Sequence, residues 1–419
     1  MNKINAILIT YPHENSIKEA FALADAAGYN IVKTVTQRYL SKAKYGIGAG
    51  KAEEVKIFVE ELKPKVIIFD EVLKSTQVYN LAKLLQIETI DRERLILEIF
   101  EKRASTAESS IQVKLAQLRY EMTRAREKVR LAKQGEQPGF FGIGRYEVDN
   151  YYRDIKRRIA TLKQKLGKVS KRRDLFRYQR TKQGFPSVSL AGYTSAGKTT
   201  LFNALIGEEH DVGKGMFTTL ATYARALELN NGKVLLSDAV GFISKLPAYM
   251  IEAFKSTLDE LTYSNLVLLV IDMSEPLTEV ARKYDSCLDI LTELRVPQSK
   301  VLYVLNKVDL TSEEEALENA KQLGLLENKR HVTVSAKTGQ NIQRMKELIN
   351  DIVFEQAKVQ IKVEQKAIAE NSDYMELLKN VASINIDKHL DGSATATVSG
   401  PSWAIDSFNE VIEDESSSS

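Results

Sequence analysis

The stretch Phe185–Leu205, "FPSVSLAGYTSAGKTTLFNAL", decides the fold. An apolar run of strand length ends at Gly192, a loop of small residues follows, and helix formers take over from Lys198. Gly192, Gly197, Lys198 and Thr199 satisfy G-x-x-x-x-G-K-[ST] in the strand, loop and helix setting that this motif requires. Small side chains let successive backbone N–H groups curl around a phosphate, at the start of a helix whose dipole favours anions. Tyr193, Thr194, Ser195, Ala196 and Thr200 complete the expected cradle. Lys198 is expected to reach the β- and γ-phosphates of a nucleotide, and the Thr199 hydroxyl to bind Mg²⁺.

Downstream, each apolar strand ends in residues that suit a nucleotide. "VLYVLNKVDL" places Asn306, Lys307, Val308 and Asp309 after one strand, and "HVTVSAKTG" places Ser335, Ala336 and Lys337 after the next. A carboxylate at Asp309 can accept from both N1–H and the 2-amino group of guanine, which adenine cannot offer. Two lost charge-assisted bonds at about 1.5–3 kcal/mol each disfavour ATP by roughly 10²–10⁴-fold. GTP is therefore the expected nucleotide, with a P-loop ATPase or small-molecule kinase as the structural rival.

Between the phosphate loop and these motifs lie two candidate nucleotide-sensing segments. "KGMFTTLATYA" contributes Phe217, Thr218, Thr219, Leu220 and Ala221, one threonine of which is expected to join the metal only with GTP bound. "LLSDAVGFISKLP" contributes Asp238, Ala239, Val240 and Gly241, with Asp238 holding the metal through water and the Gly241 N–H facing the γ-phosphate. The next residue, where a water-positioning Gln often sits, is Phe242, whose side chain neither donates nor accepts a hydrogen bond. Asp238 and Gly241 are thus expected to sense the nucleotide while water positioning comes from elsewhere.

Composition sets the frame for these motifs. A chain of 419 residues suggests two to four domains, and 43% hydrophobic residues suffice for a core. The single Cys287 cannot form an internal disulfide, which points to a reducing, cytoplasmic compartment, with peripheral membrane attachment left open. The longest strongly apolar run, Leu266–Ile271, is far too short to cross a bilayer, so no integral membrane part is expected.

A net charge of +3 conceals an asymmetry: residues 101–182 hold 23 Lys and Arg against 9 Asp and Glu, a surplus of 14, leaving the rest at −11. That basic stretch carries two heptad seams, Ile111, Leu115, Leu118, Met122, Ala125 and Val129, then Tyr152, Ile155, Ile159, Leu162, Leu166 and Val169. The Gly-rich "QGEQPGFFGIGRYE" with Pro138 separates them, so the seams are expected to fold back as an antiparallel helical hairpin. Its excess cations self-repel unless a polyanion meets them, which favours nucleic acid or ribosome contact over a spacer or dimerisation arm.

Upstream, residues 5–90 alternate strand-like and helix-like patterns, as a small parallel sheet requires. There "YGIGAGK", Tyr45–Lys51, mimics a phosphate loop but has Tyr45 five places before Gly50 and Ala52 after Lys51, so it reads as a flexible surface loop. Near the end, "SINIDKHLDGSATATVSG" reads as a hairpin followed by a short helix with Trp403, and "EDESSSS" as a disordered tail. The expected fold class is α/β: a P-loop G domain with a mixed, mostly parallel sheet and helices on both faces. The expected boundaries are an N-terminal α/β domain over 1–94, a basic helical hairpin over 95–182, the G domain over 183–355, an α+β appendage over 356–412 and the tail over 413–419.

"GYTSAGKTTLFNAL", "FTTL", "DAVGFISKLP" with "EAFKSTLDEL", and "NKVDL", preceded by "VIIFDEVLKSTQVYNLAKLL", "TIDRERLILEIFEKRA" and "QVKLAQLRYEMTR", resemble the HflX family of GTPases over about residues 5 to 355. The resemblance implies an N-terminal α/β domain, a helical hairpin and a G domain, with ribosome binding, especially to the large subunit and its rRNA, and, in bacterial members, ribosome splitting. It favours Thr219 over Thr218 as the switch threonine, which makes Thr199 and Thr219 the metal ligands and Lys198, Thr219, Asp238 and Gly241 the groups at the reaction. Phe242 belongs to the family pattern. Three places depart from it: Ser195 replaces an Asn that can help bind K⁺, Ala239 replaces a Thr, and the hairpin loop is rewritten. The expectation is a monomeric, Mg²⁺-dependent GTPase, weak without a partner, that binds GTP or GDP and meets ribosomes in a nucleotide-dependent way. The alternative is a GTP-gated RNA-binding or scaffold protein in which hydrolysis is incidental.

Overall fold

Short branched apolar runs build one parallel and one mostly parallel sheet, and the computed structural model places the phosphate-loop and base-reading motifs at the carboxyl ends of their strands. It describes residues 3–133, 145–182, 185–207, 216–217, 223–238, 241–244, 246–326, 330–364, 382–389 and 393–405. The tip of the expected hairpin and the tail lie outside the described residues.

The first sheet has the order β2-β1-β3-β4 and is parallel throughout. Its strands are β1 (Ile4–Thr10), β2 (Tyr29–Thr36), β3 (Val66–Phe69) and β4 (Glu88–Asp91), linked by α1 (Glu14–Ala26), α2 (Ala49–Leu62) and α3 (Ser75–Leu85). Ile7, Ile9, Ile67 and Phe69 are fully buried in its core, each worth about 1.5–3 kcal/mol relative to exposure. At its carboxyl edge Arg92 pairs with Asp70 at 2.5 Å and with Glu19, and Thr10 donates to Asp70 at 2.6 Å. "YGIGAGK" departs from the flexible loop expected. Lys42 and Gly46 exchange backbone hydrogen bonds, Gly48 is the N-cap of α2, and Ala49–Lys51 form its first turn.

Three further helices follow: α4 (Arg92–Arg103), capped by Asp91, then α5 (Ala107–Lys133) and α6 (Arg145–Lys182). The expected first seam is buried at Leu115, Leu118 and Ala125, and the second at Ile155 and Ile159. Tyr151 of α6 donates to Glu121 of α5. No helix among the described residues is long and apolar enough to cross a membrane.

The second sheet has the order β10-β9-β8-β5-β7-β6, parallel except where β6 pairs antiparallel with β7. It comprises β5 (Ser187–Gly192), β6 (Tyr223–Leu229), β7 (Gly232–Asp238), β8 (Leu266–Asp272), β9 (Val301–Asn306) and β10 (His331–Val334), with α7 (Lys198–Ile206), α8 (Ala248–Thr262), α9 (Leu277–Glu293), α10 (Glu313–Gln322) and α11 (Ile342–Phe354). A three-stranded antiparallel sheet follows, β11 (Gln356–Glu364), β12 (Ser383–Lys388) and β13 (Ser393–Pro401), in the order β11-β13-β12. The expected hairpin is β12 and β13; the third strand is an addition. Ala394, Ala396, Val398 and Trp403 join the same buried cluster as Val188, Leu190 and Leu268.

Compactness divides the chain into two units. One holds Met1–Val169 with Gly213–Ala221 and Lys245–Lys255; the other holds Ser170–Val212, Thr222–Ser244 and Ser256–Ser419.

Candidate functional site

In the second unit, β5 ends at Gly192 and the chain turns through Ser195 at φ 63° and Gly197 at φ 95° before α7 begins at Lys198. Such left-handed steps expose consecutive N–H groups to one side. A Cβ on Gly192 would stand 2.3 Å from the Val270 carbonyl oxygen, and one on Gly197 2.4 Å from Asn306 Nδ2. Both glycines are required by close approach of neighbouring strand ends.

Asn306, 1% exposed, acts as a strut. Its amide donates to the Ala196 carbonyl at 2.8 Å and accepts from the Ala336 N–H at 3.0 Å. One side chain therefore ties the N-K-V-D end of β9 to both the phosphate loop and the S-A-K loop. Lys307 adopts φ 70° and pairs with Asp272 at 2.5 Å. Ser335 donates to Asp309 at 2.7 Å, fixing one carboxylate oxygen. Thr200, Asn203, Ala336, Lys337, Gln343 and Lys346 line an adjacent cleft of about 580 Å³, open to solvent.

Lys198 is 7% exposed and donates to the Gly192 and Tyr193 carbonyls at 3.0 and 2.8 Å. Burial lowers its pKa from the ordinary lysine value, opposed by the charge of Asp238. Thr199 donates to Asp238 Oδ2 at 2.9 Å. Among the described residues no three or more His, Cys, Asp or Glu gather as metal ligands. A hydroxyl beside a carboxylate suits Mg²⁺, which keeps several waters and takes few protein oxygens next to phosphates.

Phe242, the residue that raised doubt, is 2% exposed and is a structural member of the loop. It accepts from Thr194 N–H at 2.7 Å and donates to the Gly192 carbonyl at 3.0 Å, forming a parallel bridge to Tyr193. Gly241 needs its small size, because a Cβ there would meet Lys198 Nζ and Thr194 Cα at 3.1 Å. The Tyr193 hydroxyl donates to Ser244, which also receives a bond from Arg282. Cys287 lies in the same neighbourhood, buried, its thiol pushed up to about 12 by desolvation.

Thr218, Thr219, Leu220, Ala221, Ala239 and Val240 lie outside the described residues. Phe217 is 3% exposed at φ 54°, its ring edge-on to Phe100 at 4.8 Å in the first unit. In that unit too, Glu252 forms a two-pronged pair with Arg119, and Tyr249 donates to Glu93 at 3.0 Å. The contacts above link Gly192, Gly197, Lys198, Thr199, Asp238, Gly241, Asn306, Asp309 and Ser335, all expected from the sequence. Asp272, Ser244 and Arg282 join them without a motif of their own, although Asp272 carried a signal as a polar residue ending an apolar strand.

The chain matches family models described as "GTP-binding GTPase N-terminal" over residues 14–101, "GTP-binding GTPase Middle Region" over 103–180 and "50S ribosome-binding GTPase" over 187–307. It is 44% identical over 338 residues to the GTPase HflX of Methanocaldococcus jannaschii, covering 80% of this chain and 82% of that one. The HflX protein of Thermococcus kodakarensis is 39% identical over 356 residues, covering 82% and 80%. A crystal structure of a protein called SsGBP in complex with GDP superposes with a TM-score of 0.50 at 27% identity, covering 83% of this chain and 98% of that one. With relatives 44% and 39% identical over about four fifths of the chain and family models matching residues 14–101, 103–180 and 187–307, the chain belongs to the HflX family of GTPases.

Proposed function

We propose that the chain binds GTP and GDP at the site built by Gly192–Thr200, Asp238–Gly241, Asn306–Asp309 and Ser335–Lys337, hydrolyses GTP slowly, and associates with the large ribosomal subunit in a nucleotide-dependent way. The observation that carries the guanine reading is the Asn306 amide, which holds the phosphate loop and both base-reading loops in one frame. Asp309, oriented by Ser335, accepts from guanine. Lys198 exchanges two loop carbonyls for phosphate oxygens, so the binding site is already assembled before nucleotide arrives. Thr199, and Thr219 when GTP is present, would hold Mg²⁺, which supplies charge neutralisation at the phosphates.

Phe242 is committed to the loop's backbone, so hydrolysis lacks a glutamine at that position. Intrinsic turnover on the order of 10⁻⁴–10⁻² s⁻¹ follows, leaving up to roughly 10³–10⁵-fold for a partner. The ribosome reading is supported by the basic stretch 101–182 and by the description "50S ribosome-binding GTPase" attached to the family model that matches residues 187–307. The division into an α/β domain, a basic helical arm, a G domain and an appendage serves that reading. Sedimentation with purified large subunits tests it: more pelleting with a non-hydrolysable GTP analogue than with GDP is expected, and no pelleting in either state overturns it.

A further inference from the structure

From the loop that joins β2 to α2, we infer that the first unit carries a preformed RNA-docking surface whose contacts are Arg38, Tyr39, Lys42 and Lys44. Residues 36–52 contain Arg38, Lys42, Lys44 and Lys51 and no Asp or Glu. Arg38, Lys42 and Lys44 are exposed, and none has a carboxylate within ion-pair distance among the described residues. Instead Arg38 lies over the Tyr39 ring at 5.4 Å and Lys44 over the Tyr45 ring at 4.9 Å. Tyr39 itself is 56% exposed.

A bare charge run on a mobile loop is usually a solvated face. This loop is fixed from several sides. Leu40 and Ile47 are each 1% exposed in the sheet's core. Lys42 and Gly46 exchange backbone bonds, Gln77 and Asn80 of α3 donate to the Lys42 and Lys44 carbonyls at 2.8 and 2.9 Å, and Gln37 donates to the Tyr39 carbonyl at 2.8 Å. Exposed cations on a pinned backbone, beside a tyrosine ring that is 56% exposed, match a phosphate backbone with an unstacked base, the mode by which single-stranded RNA is gripped. The loop thus names a contact for the ribosome reading, on which it rests for the identity of the RNA.

The test uses the full chain and a 12-nucleotide uridine-rich RNA carrying 4-thiouridine, photo-crosslinked and mapped by mass spectrometry, with affinity measured across salt. Crosslinks within residues 36–51 are expected. Tyr39→Ala should weaken binding roughly 5- to 150-fold. The triple change Arg38→Gln, Lys42→Gln, Lys44→Gln should flatten the plot of log affinity against log salt by about 2, at about 0.7 per phosphate. GDP affinity and melting temperature should stay at the wild-type values. Crosslinks confined to residues 101–182, unchanged affinity and slope in the variants, or binding only to phosphatidylserine vesicles overturns the loop. Loop crosslinks without large-subunit pelleting retain the loop and overturn the ribosome reading instead; pelleting without them does the reverse.

Discussion

Two glycine-rich loops with a terminal lysine, Gly192–Lys198 and Tyr45–Lys51, leave parallel sheets in the two units, yet they do opposite things. In the first, left-handed Ser195 and Gly197 delay the helix until Lys198, and the lysine is buried against the loop's own carbonyls. In the second, Gly46 at φ 75° closes a bridge with Lys42, the helix starts at Ala49, and Lys51 pairs on the surface with Glu54 at 2.7 Å. A phosphate site needs N–H groups left unused by the fold; here the Gly46 N–H goes to the Lys42 carbonyl and the Gly48 N–H to the Gln37 side chain, so neither is available to an anion. The stretch leading into it, Arg38–Lys44, presents exposed cations and Tyr39, which suit a polyanion's surface better than a single phosphate.

The comparison yields predictions that can be ranked by size. Asp309→Asn should reduce GTP affinity by roughly 10²–10⁴-fold without gaining ATP, measured by competition with a fluescent nucleotide such as a labelled GDP. Cys287, in the neighbourhood of Tyr193, should be alkylated at pH 8 about 10³-fold more slowly in the native chain than in denaturant, because its thiol is shifted from 9.0 to about 12. Gly192→Ala should cost about 2–4 kcal/mol in urea unfolding and abolish GDP binding, since overpacking against the Val270 carbonyl adds to its φ of 142°. Gly46→Ala, whose Cβ would stand 2.6 Å from the buried Phe69 ring, should lower stability by about 1–3 kcal/mol and leave GDP binding intact. Gly50→Ala, in a helical turn with open space at its Cβ, should stabilise the fold by about 0.5–1 kcal/mol.

Much of the site was legible because its motifs are local. Strand-terminal Gly192, Asp238, Asn306 and Ser335 follow apolar runs directly, so their arrangement along one sheet edge follows from parallel pairing alone. What was illegible depends on contacts distant in sequence. Nothing in "DAVGF" announces that Phe242 forms a backbone bridge to Tyr193, 49 residues earlier, or that Asn306 braces Ala196, 110 residues away. The "YGIGAGK" loop reads as flexible in the sequence, and its rigidity is not legible there, since Gln77 and Asn80 that pin the turn before it lie on another helix. Likewise, "SINIDKHLDGSATATVSG" reads as a hairpin, while the burial of Ala394, Ala396 and Trp403 in one cluster with β5 and β8 residues is not legible in it.

The most direct test of the contrast between the two loops is a calorimetric titration of the full chain with GDP in Mg²⁺, comparing wild type, Lys198→Ala and Lys51→Ala. One site per chain is expected, weakened roughly 10²-fold or more by Lys198→Ala and unchanged by Lys51→Ala. Wild-type affinity in Lys198→Ala, or loss of a site in Lys51→Ala, would contradict it.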